Sequence, residues 1–368
     1  MSNYTEVDTP ALLIDKDQVL NNIRFMQDYS NQYSVHLRPH TKTHKMPYLA
    51  KLQIEAGAKG ITVAKVGEAE AMAENGINDI FIANEIVGDI KLNRIKSLGR
   101  TIDISFGIDC VDHVKEIERI FEGEDKKAQV LVEIEVGENR SGVIEEEDFV
   151  SLLKFIKECK NVNLKGIFSH EGHSYGAKDI DELRSIFNES QIRTLKFANI
   201  AEELGFKLDV VSIGATPPST HNLPIMKGIT EIRPGTYILM DVSQGNALGT
   251  YDRCAASVLA TIISRPTEER VIIDVGAKGI TMQTRNKGIC TTKGLGYIKG
   301  YGIYIDGVFD EHGIIYNKNF RDKVQIGDRV EVIPNHICPV CNLYDKAYLV
   351  SKGEIVEEVQ VSGRGRLA

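Results

Sequence analysis

Eight short β-rich runs, most of them followed by a longer amphipathic stretch, occupy the first two thirds of this chain. That alternation restricts the fold more than any other feature. The runs are Ser34–Arg38, Gly60–Ala64, Asp79–Ala83, Asp103–Ile108, Val130–Val136, Leu164–Ser169, Asp209–Ile213 and Glu231–Arg233. Helical patterns lie between them at Tyr48–Ala58, Gly67–Asn75, His113–Glu122, Phe149–Cys159 and Ile180–Leu204. The last link, Gly214–Thr230, is too rich in Pro and Gly for a regular helix. Strands alternating with helices build a parallel sheet, and eight repeats in about 220 residues match a closed (β/α)8 TIM-type barrel. An open doubly wound sheet would write the same pattern. Past Gly245 the helical periodicity fades. Runs such as Ala256–Ile263, Arg329–Ile333 and Ile355–Val361, punctuated by Gly, Asp and Asn, predict an all-β domain. The expected division is a barrel over 15–245 and a β domain over 246–368, joined by an N-terminal strand within 1–14.

Composition removes several classes of function. A formal net charge of −8 over 368 residues argues against broad nucleic-acid or anionic-membrane binding. No apolar run reaches membrane-spanning length. The opening Met-Ser-Asn-Tyr-Thr-Glu-Val-Asp lacks the basic and apolar regions of a secretory signal, so a cytoplasmic location is expected. Cysteines 110, 159, 254 and 290 are scattered singly, as small buried thiols would be. Cys338 and Cys341 form a lone C-x-x-C without the second pair that a four-cysteine zinc site needs. Gly294-Leu-Gly296 has the wrong spacing for a dinucleotide fingerprint and follows no βαβ unit.

Chemistry concentrates just past the predicted strand ends, the active face of a barrel. Arg38-Pro-His-Thr-Lys-Thr-His-Lys45 surrounds Lys42 with basic and imidazole side chains. An extended backbone there would project His40, Lys42 and His44 to one side. Cationic neighbours and partial burial disfavour an ammonium, which suits a Schiff-base lysine. Arg140 follows the fifth strand; His170, His173 and Tyr175 follow the sixth and offer proton-transfer or ring-stacking groups. The loops after strands seven and eight carry Ser212, Gly214, Thr216, Gly235 and Thr236, small residues whose amides and hydroxyls suit a phosphate. Farther on, His336 and Cys338 would share one side of an extended segment, and imidazole plus thiolate is a donor pair zinc prefers. Two protein ligands leave coordination positions open, as in a catalytic ion. Singly, each has a plainer reading: a turn glycine, a surface arginine, a capping threonine, a buried histidine or cysteine.

Taken together, Pro10-Ala-Leu-Leu-Ile-Asp15, Arg38-Pro-His-Thr-Lys-Thr-His-Lys45, Gly166-Ile-Phe-Ser-His-Glu-Gly-His-Ser-Tyr175, Ser212-Ile-Gly-Ala-Thr-Pro217, Arg233-Pro-Gly235 and Pro334-Asn-His-Ile-Cys338 resemble the D-serine dehydratase and D-threonine aldolase family. These are pyridoxal-phosphate enzymes of the alanine racemase fold type (fold type III). The resemblance covers nearly the whole chain. It implies that Lys42 holds pyridoxal 5′-phosphate through its amine and then acts as general base. Ser212, Gly214, Thr216, Gly235 and Thr236 would lie by the phosphate, and Arg140 and His170 would flank the ring. Tyr175 would contact cofactor or substrate, with His173 beside it as a further catalytic candidate. His336 and Cys338 would bind a divalent metal, zinc ahead of manganese, with Cys341 a possible competitor. Family dehydratases resemble this chain in having cysteine as second metal ligand, where the aldolases tend to have aspartate. The implied reaction is therefore dehydration of a D-3-hydroxy amino acid to a 2-oxo acid and ammonia. Retro-aldol cleavage to glycine and an aldehyde is the alternative, and a racemase or a non-catalytic cofactor carrier are more remote ones. The implied assembly is a head-to-tail homodimer.

Overall fold

The computed structural model describes residue 4 and residues 6–368. The chain forms two compact units, one of Met26–Lys42, Leu49–Gly235 and Gly365–Ala368, the other of Met1–Phe25, Thr43–Tyr48 and Thr236–Arg364.

The first unit is the (β/α)8 barrel. Its eight strands, His36–Leu37, Ile61–Val63, Asp79–Glu85, Asp103–Ile108, Ala128–Ile134, Val162–Ser169, Val210–Ile213 and Glu231–Ile232, pair in parallel around one sheet. The first and last also pair, His36 opposite Glu231, and a bridge between His40 and Thr62 joins the remaining edges. The seam is reinforced where Thr62 donates its amide to Pro39 O and its hydroxyl to Arg38 O. Amphipathic helices such as Val111–Ile120 and Glu146–Glu158 place Val114, Ile117, Phe149 and Leu153 inward and charged residues outward, which buries the outer faces of the strands.

The barrel interior is only partly apolar. Phe81, Leu131, Phe168 and Val210 form a buried cluster, and Phe81 meets Phe168 edge-to-face at 5.0 Å. The Arg233 guanidinium lies over both rings, 5.2 Å from Phe168 and 5.8 Å from Phe81. It donates to Ser212 Oγ and to the Ser169 carbonyl. Arg38, expected among the cations around Lys42, is instead consumed inside the barrel. Its Nε bonds Glu231 at 2.7 Å and its Nη1 bonds Asp79 at 2.5 Å. Burial penalises that guanidinium, but the two carboxylates outweigh the penalty and hold it charged.

The second unit is built on a ten-stranded sheet. The N-terminal strand Ala11–Asp15 enters it, antiparallel to Ala256–Ser264 and parallel to Lys346–Ser351. Tyr4, Val7, Leu13, Leu259 and Val350 pack into its buried cluster. Short helices interrupt the predicted all-β texture at Ala277–Ile280 and Lys318–Lys323, and again at Val242–Leu248 and Ile337–Cys341. The last two both start on a buried bond to Asp241, whose Oδ1 accepts Gln244 N in Val242–Leu248 and whose Oδ2 accepts Ile337 N. Among the described residues no helix is long and apolar enough to cross a membrane.

Candidate active site

In the barrel, Lys42 does not sit on extended chain. Thr41–Thr43 form a single 3-10 turn, because the His40 ring folds back to accept the Lys42 amide through Nδ1 at 3.5 Å. His44 likewise accepts Met46 N at 3.0 Å and is fully buried, so its ring is committed to its own turn. The expected one-sided row of His40, Lys42 and His44 gives way to local histidine–backbone bonds, which an alternating-residue argument cannot anticipate.

Lys42 makes itself felt on three neighbours. Burial and then the Lys42 charge hold His40 and His170 far below the usual imidazole range, so both rings are neutral. His170 Nδ1 faces the Gly214 carbonyl; because a carbonyl only accepts, Nδ1 carries the proton and Nε2 the lone pair. Burial holds Glu138 above the usual carboxylate range against the opposing pull of Arg140 and Lys42. Arg140 lies between two carboxylates, Nη2 at 3.1 Å from Glu133 and Nη1 at 3.5 Å from Glu138. The Glu138 carboxylate lies against Gly172, where an added Cβ would come within 1.9 Å of Oε1 and push that side chain aside.

The strand-seven loop divides the predicted phosphate residues. Ser212 is buried and its hydroxyl is occupied, donating to Glu231 at 2.8 Å and accepting from Arg233 at 2.5 Å. Thr216 is different. Its Oγ1 is buried with no hydrogen-bond partner, and its amide points at Tyr175 OH from 3.4 Å. An orphaned buried hydroxyl costs free energy unless something fills its valence, so the Gly214–Thr216 loop is suited to an anionic group. Gly214 leaves the backbone bare there, because an added Cβ would stand 2.9 Å from Arg233 Cβ. Gly235 follows Arg233 on the next strand end, its neighbour Pro234 accepting His40 N at 3.0 Å. His173 is half-buried against Gly137, with Nδ1 unpartnered, and its charged neighbours are Glu135 and Glu189. His40 and His170 are the imidazoles that feel Lys42.

Carboxylates are what the sequence reading missed. Glu85 and Glu133 end two strands and share a site, where burial and the Glu133 charge keep Glu85 protonated. Burial opposes ionisation of Glu133 too, but bonds from Glu85, Ser141 and Arg140 keep it ionised. Glu171 is fully buried and pushed up to about 7 by that burial, with Gly214 N donating to it at 3.2 Å. The available signal was a lone acid inside an apolar strand, Val130-Leu-Val-Glu-Ile.

In the second unit His336 and Cys338 do meet, although the chain between them is not extended. His336 caps the helix Ile337–Cys341 and Cys338 sits in its first turn. Burial would raise the Cys338 thiol, but the His336 charge and hydrogen bond, aided by Thr43, bring it down to about 7. Thr43, which follows Lys42 in the chain, places Oγ1 3.3 Å from Cys338 Sγ. Thr236, expected by the phosphate, is 3.6 Å from the same sulfur. His336 Nδ1 is 3.0 Å from Gln283 Oε1, a contact that orients the ring. A thiol this acidic beside an imidazole is a donor set for zinc or a similar soft divalent ion. Burial pushes the Cys341 thiol well above the ordinary value.

A parallel barrel that offers a lysine among neutral imidazoles, next to an anion-ready loop, defines a cofactor-dependent enzyme of the alanine racemase architecture. Comparison with known proteins agrees. Residues 14–242 match the family model for the alanine racemase N-terminal domain, and 255–350 the putative serine dehydratase domain. The chain therefore belongs to the alanine racemase N-terminal domain family, in the branch that carries a serine dehydratase domain. It is 30% identical to a D-threonine aldolase of Arthrobacter sp over 98% of this chain and 93% of that protein. It is 29% identical to the D-threo-3-hydroxyaspartate dehydratase of Delftia sp. (strain HT23), over 90% and 91%. Among solved structures, D-threonine aldolase from Filomicrobium marinum superposes with TM-score 0.87 at 26% identity, covering 99% of this chain and 97% of that one. The Delftia dehydratase gives 0.89, also at 26%, covering 96% and 97%.

Proposed function

We infer that this protein is a pyridoxal 5′-phosphate- and divalent-metal-dependent lyase that acts on a D-3-hydroxy amino acid, forming a 2-oxo acid and ammonia. The observation that carries the reading is the His336–Cys338 donor pair, because a racemase or a cofactor carrier has no use for a cation at a β-oxygen. The relatives point the same way: they are named as a D-threonine aldolase and a D-threo-3-hydroxyaspartate dehydratase, and one structure of the latter is a cysteine-to-alanine mutant in a metal-free form. When bound, the cofactor supplies an electron sink for charge developing at Cα, and the cation supplies a Lewis acid for the departing hydroxyl.

The protein's own groups divide the remaining work. Lys42 holds the cofactor and, once released, takes the Cα proton. Thr216 and the backbone of Gly235 receive the phosphate, with Gly214 lying beside it and its amide already held by Glu171. Ser212 supports that loop through Arg233 and Glu231. Arg140 and the neutral His170 flank the ring. His170 cannot compete with Lys42 as a cation, because burial, and then the Lys42 charge, disfavours its protonation. Tyr175, beside Thr216 N, contacts cofactor or substrate, and His173 lines the same loop. His336 and Cys338 hold the metal, taken as zinc, with Thr236 and Thr43 beside the sulfur. The barrel over 15–245 and the β domain over 246–368 function in a cytoplasmic head-to-tail homodimer. Retro-aldol cleavage remains the second reading because a D-threonine aldolase is among the relatives at 30% identity.

The deciding experiment incubates the purified protein with D-serine, D-threonine and D-threo-3-hydroxyaspartate, with and without chelator. Chelator-sensitive 2-oxo acid without glycine supports the dehydratase; glycine with an aldehyde replaces it by the aldolase. No turnover of any of the three refutes both.

A further inference from the structure

The barrel carries a second group of metal-ligating side chains that the reaction above does not use. Asp109 follows the strand Asp103–Ile108, Cys110 caps the helix Val111–Ile120, and His113 lies in that helix's first turn. Asp109 and Cys110 lie on the non-helical chain just before the helix, Cys110 in extended backbone, so this Asp-Cys-x-x-His run converges where the chain turns into the helix, without any long-range contact. One ligand atom from each residue falls within 4.8 Å of the other two. His113 Nδ1 stands 3.3 Å from Asp109 Oδ1 and accepts the Asp109 amide at 3.3 Å, a bond that a cation at Nδ1 would displace. The Gly142 amide donates to Asp109 Oδ2 at 3.3 Å, which fixes the plane of the carboxylate and leaves lone pairs free. Cys110 is exposed, unlike the buried Cys254, Cys290 and Cys341. The expectation that every single cysteine would be a buried thiol therefore fails at this position. Cys110 and His113 also line a cavity of about 570 Å³, together with Val87, Asp112, Glu116 and Arg119.

We propose that Asp109, Cys110 and His113 form a second divalent-metal site, selective for zinc-class cations, with an open coordination position toward that cavity. Thiolate, imidazole and carboxylate are the three protein ligands zinc uses. Bonds of about 2.0–2.3 Å to a tetrahedral ion put ligand atoms roughly 3.3–3.8 Å apart, so side-chain rotations of about an ångström close the group around a cation. The preference follows from the donors: calcium and magnesium want oxygen alone, whereas a thiolate with an imidazole selects softer ions. The three residues are consecutive or within one helical turn, so the site forms with the helix start and ties it to the loop of Gly142.

The test uses the full-length holoprotein, stripped with chelator and reloaded with Zn²⁺ or Co²⁺. Metal content by mass spectrometry should be about two equivalents per chain, and about one in Cys110→Ser and in the double variant His336→Ala/Cys338→Ala. In that double variant the remaining Co²⁺ should still show a sulfur-to-metal charge-transfer band, which adding Cys110→Ser abolishes. Zn²⁺ should also protect Cys110 from alkylation in the otherwise unaltered protein, and Cys110→Ser should keep full turnover. A Cys110→Ser protein with unchanged metal content, or a Cys110 alkylated equally fast with and without Zn²⁺, overturns the proposal. The alkylation readout needs no variant, so a poorly folding mutant does not block the decision.

Discussion

Thr216→Val separates apo stability from cofactor binding, because the two should move in opposite directions. The Thr216 hydroxyl is buried and unpartnered. Leaving a polar group in that state costs about 1–3 kcal/mol, and an isosteric methyl removes the cost. The apoprotein should therefore gain on the order of 1 kcal/mol, read from the shift of its urea midpoint at constant slope. The holoprotein, by contrast, loses a hydrogen bond to a charged phosphate, worth about 1.5–3 kcal/mol, so cofactor affinity should fall roughly ten- to a hundredfold. Titrating apoprotein with pyridoxal phosphate and following the bound cofactor's visible absorbance gives the second number. Thr216→Ser keeps the oxygen and should behave as the parent in both assays. A Thr216→Val protein that binds cofactor as tightly as the parent, or whose apo form is less stable, refutes the argument that this hydroxyl awaits the phosphate.

Three other perturbations probe the surroundings. Glu85 is held protonated, its folded pKa raised above the unfolded carboxylate value. Its stabilising contribution is complete in acid and is lost as pH climbs from about 4.3 toward the folded value. Glu85→Gln should flatten that alkaline decline in urea-unfolding curves between pH 5 and pH 9, whereas Glu133→Gln, which strips the partner of Arg140 and Ser141, should destabilise at neutral pH; equal pH profiles for parent and Glu85→Gln would count against the pairing. Arg38→Met leaves Glu231 buried without its cation and should cost about 3–5 kcal/mol in the same unfolding assay. Cys338→Ala should lose metal and nearly all turnover yet retain the visible absorbance of bound cofactor; metal content equal to the parent's would contradict its role as a ligand.

The barrel was legible because its strands alternate with helices whose apolar faces repeat at the helical period. Asp103–Ile108 is found with the expected bounds, and all eight strands fall where predicted. Turns closed by side chains were not legible. The folding of His40 and His44 onto neighbouring amides made Thr41–Thr43 helical, and the bond from Asp241 to Ile337 N started a helix where a strand-like segment was expected. Residue type alone also could not tell Ser212 from Thr216. Both are small hydroxyls on one loop, but Arg233 and Glu231, each distant in sequence from Ser212, consume one and spare the other. Glu85 and Glu133 stayed hidden because each reads as an isolated acid until the barrel closes and makes them neighbours.

Lys42 as the cofactor's attachment point is tested directly by borohydride reduction followed by peptide mapping. The reduced phosphopyridoxyl group should be found on the peptide containing Lys42, and Lys42→Ala should yield neither the adduct nor the visible band. An adduct on Lys45, Lys65 or any other lysine, or none at all in a protein that stays yellow, contradicts it.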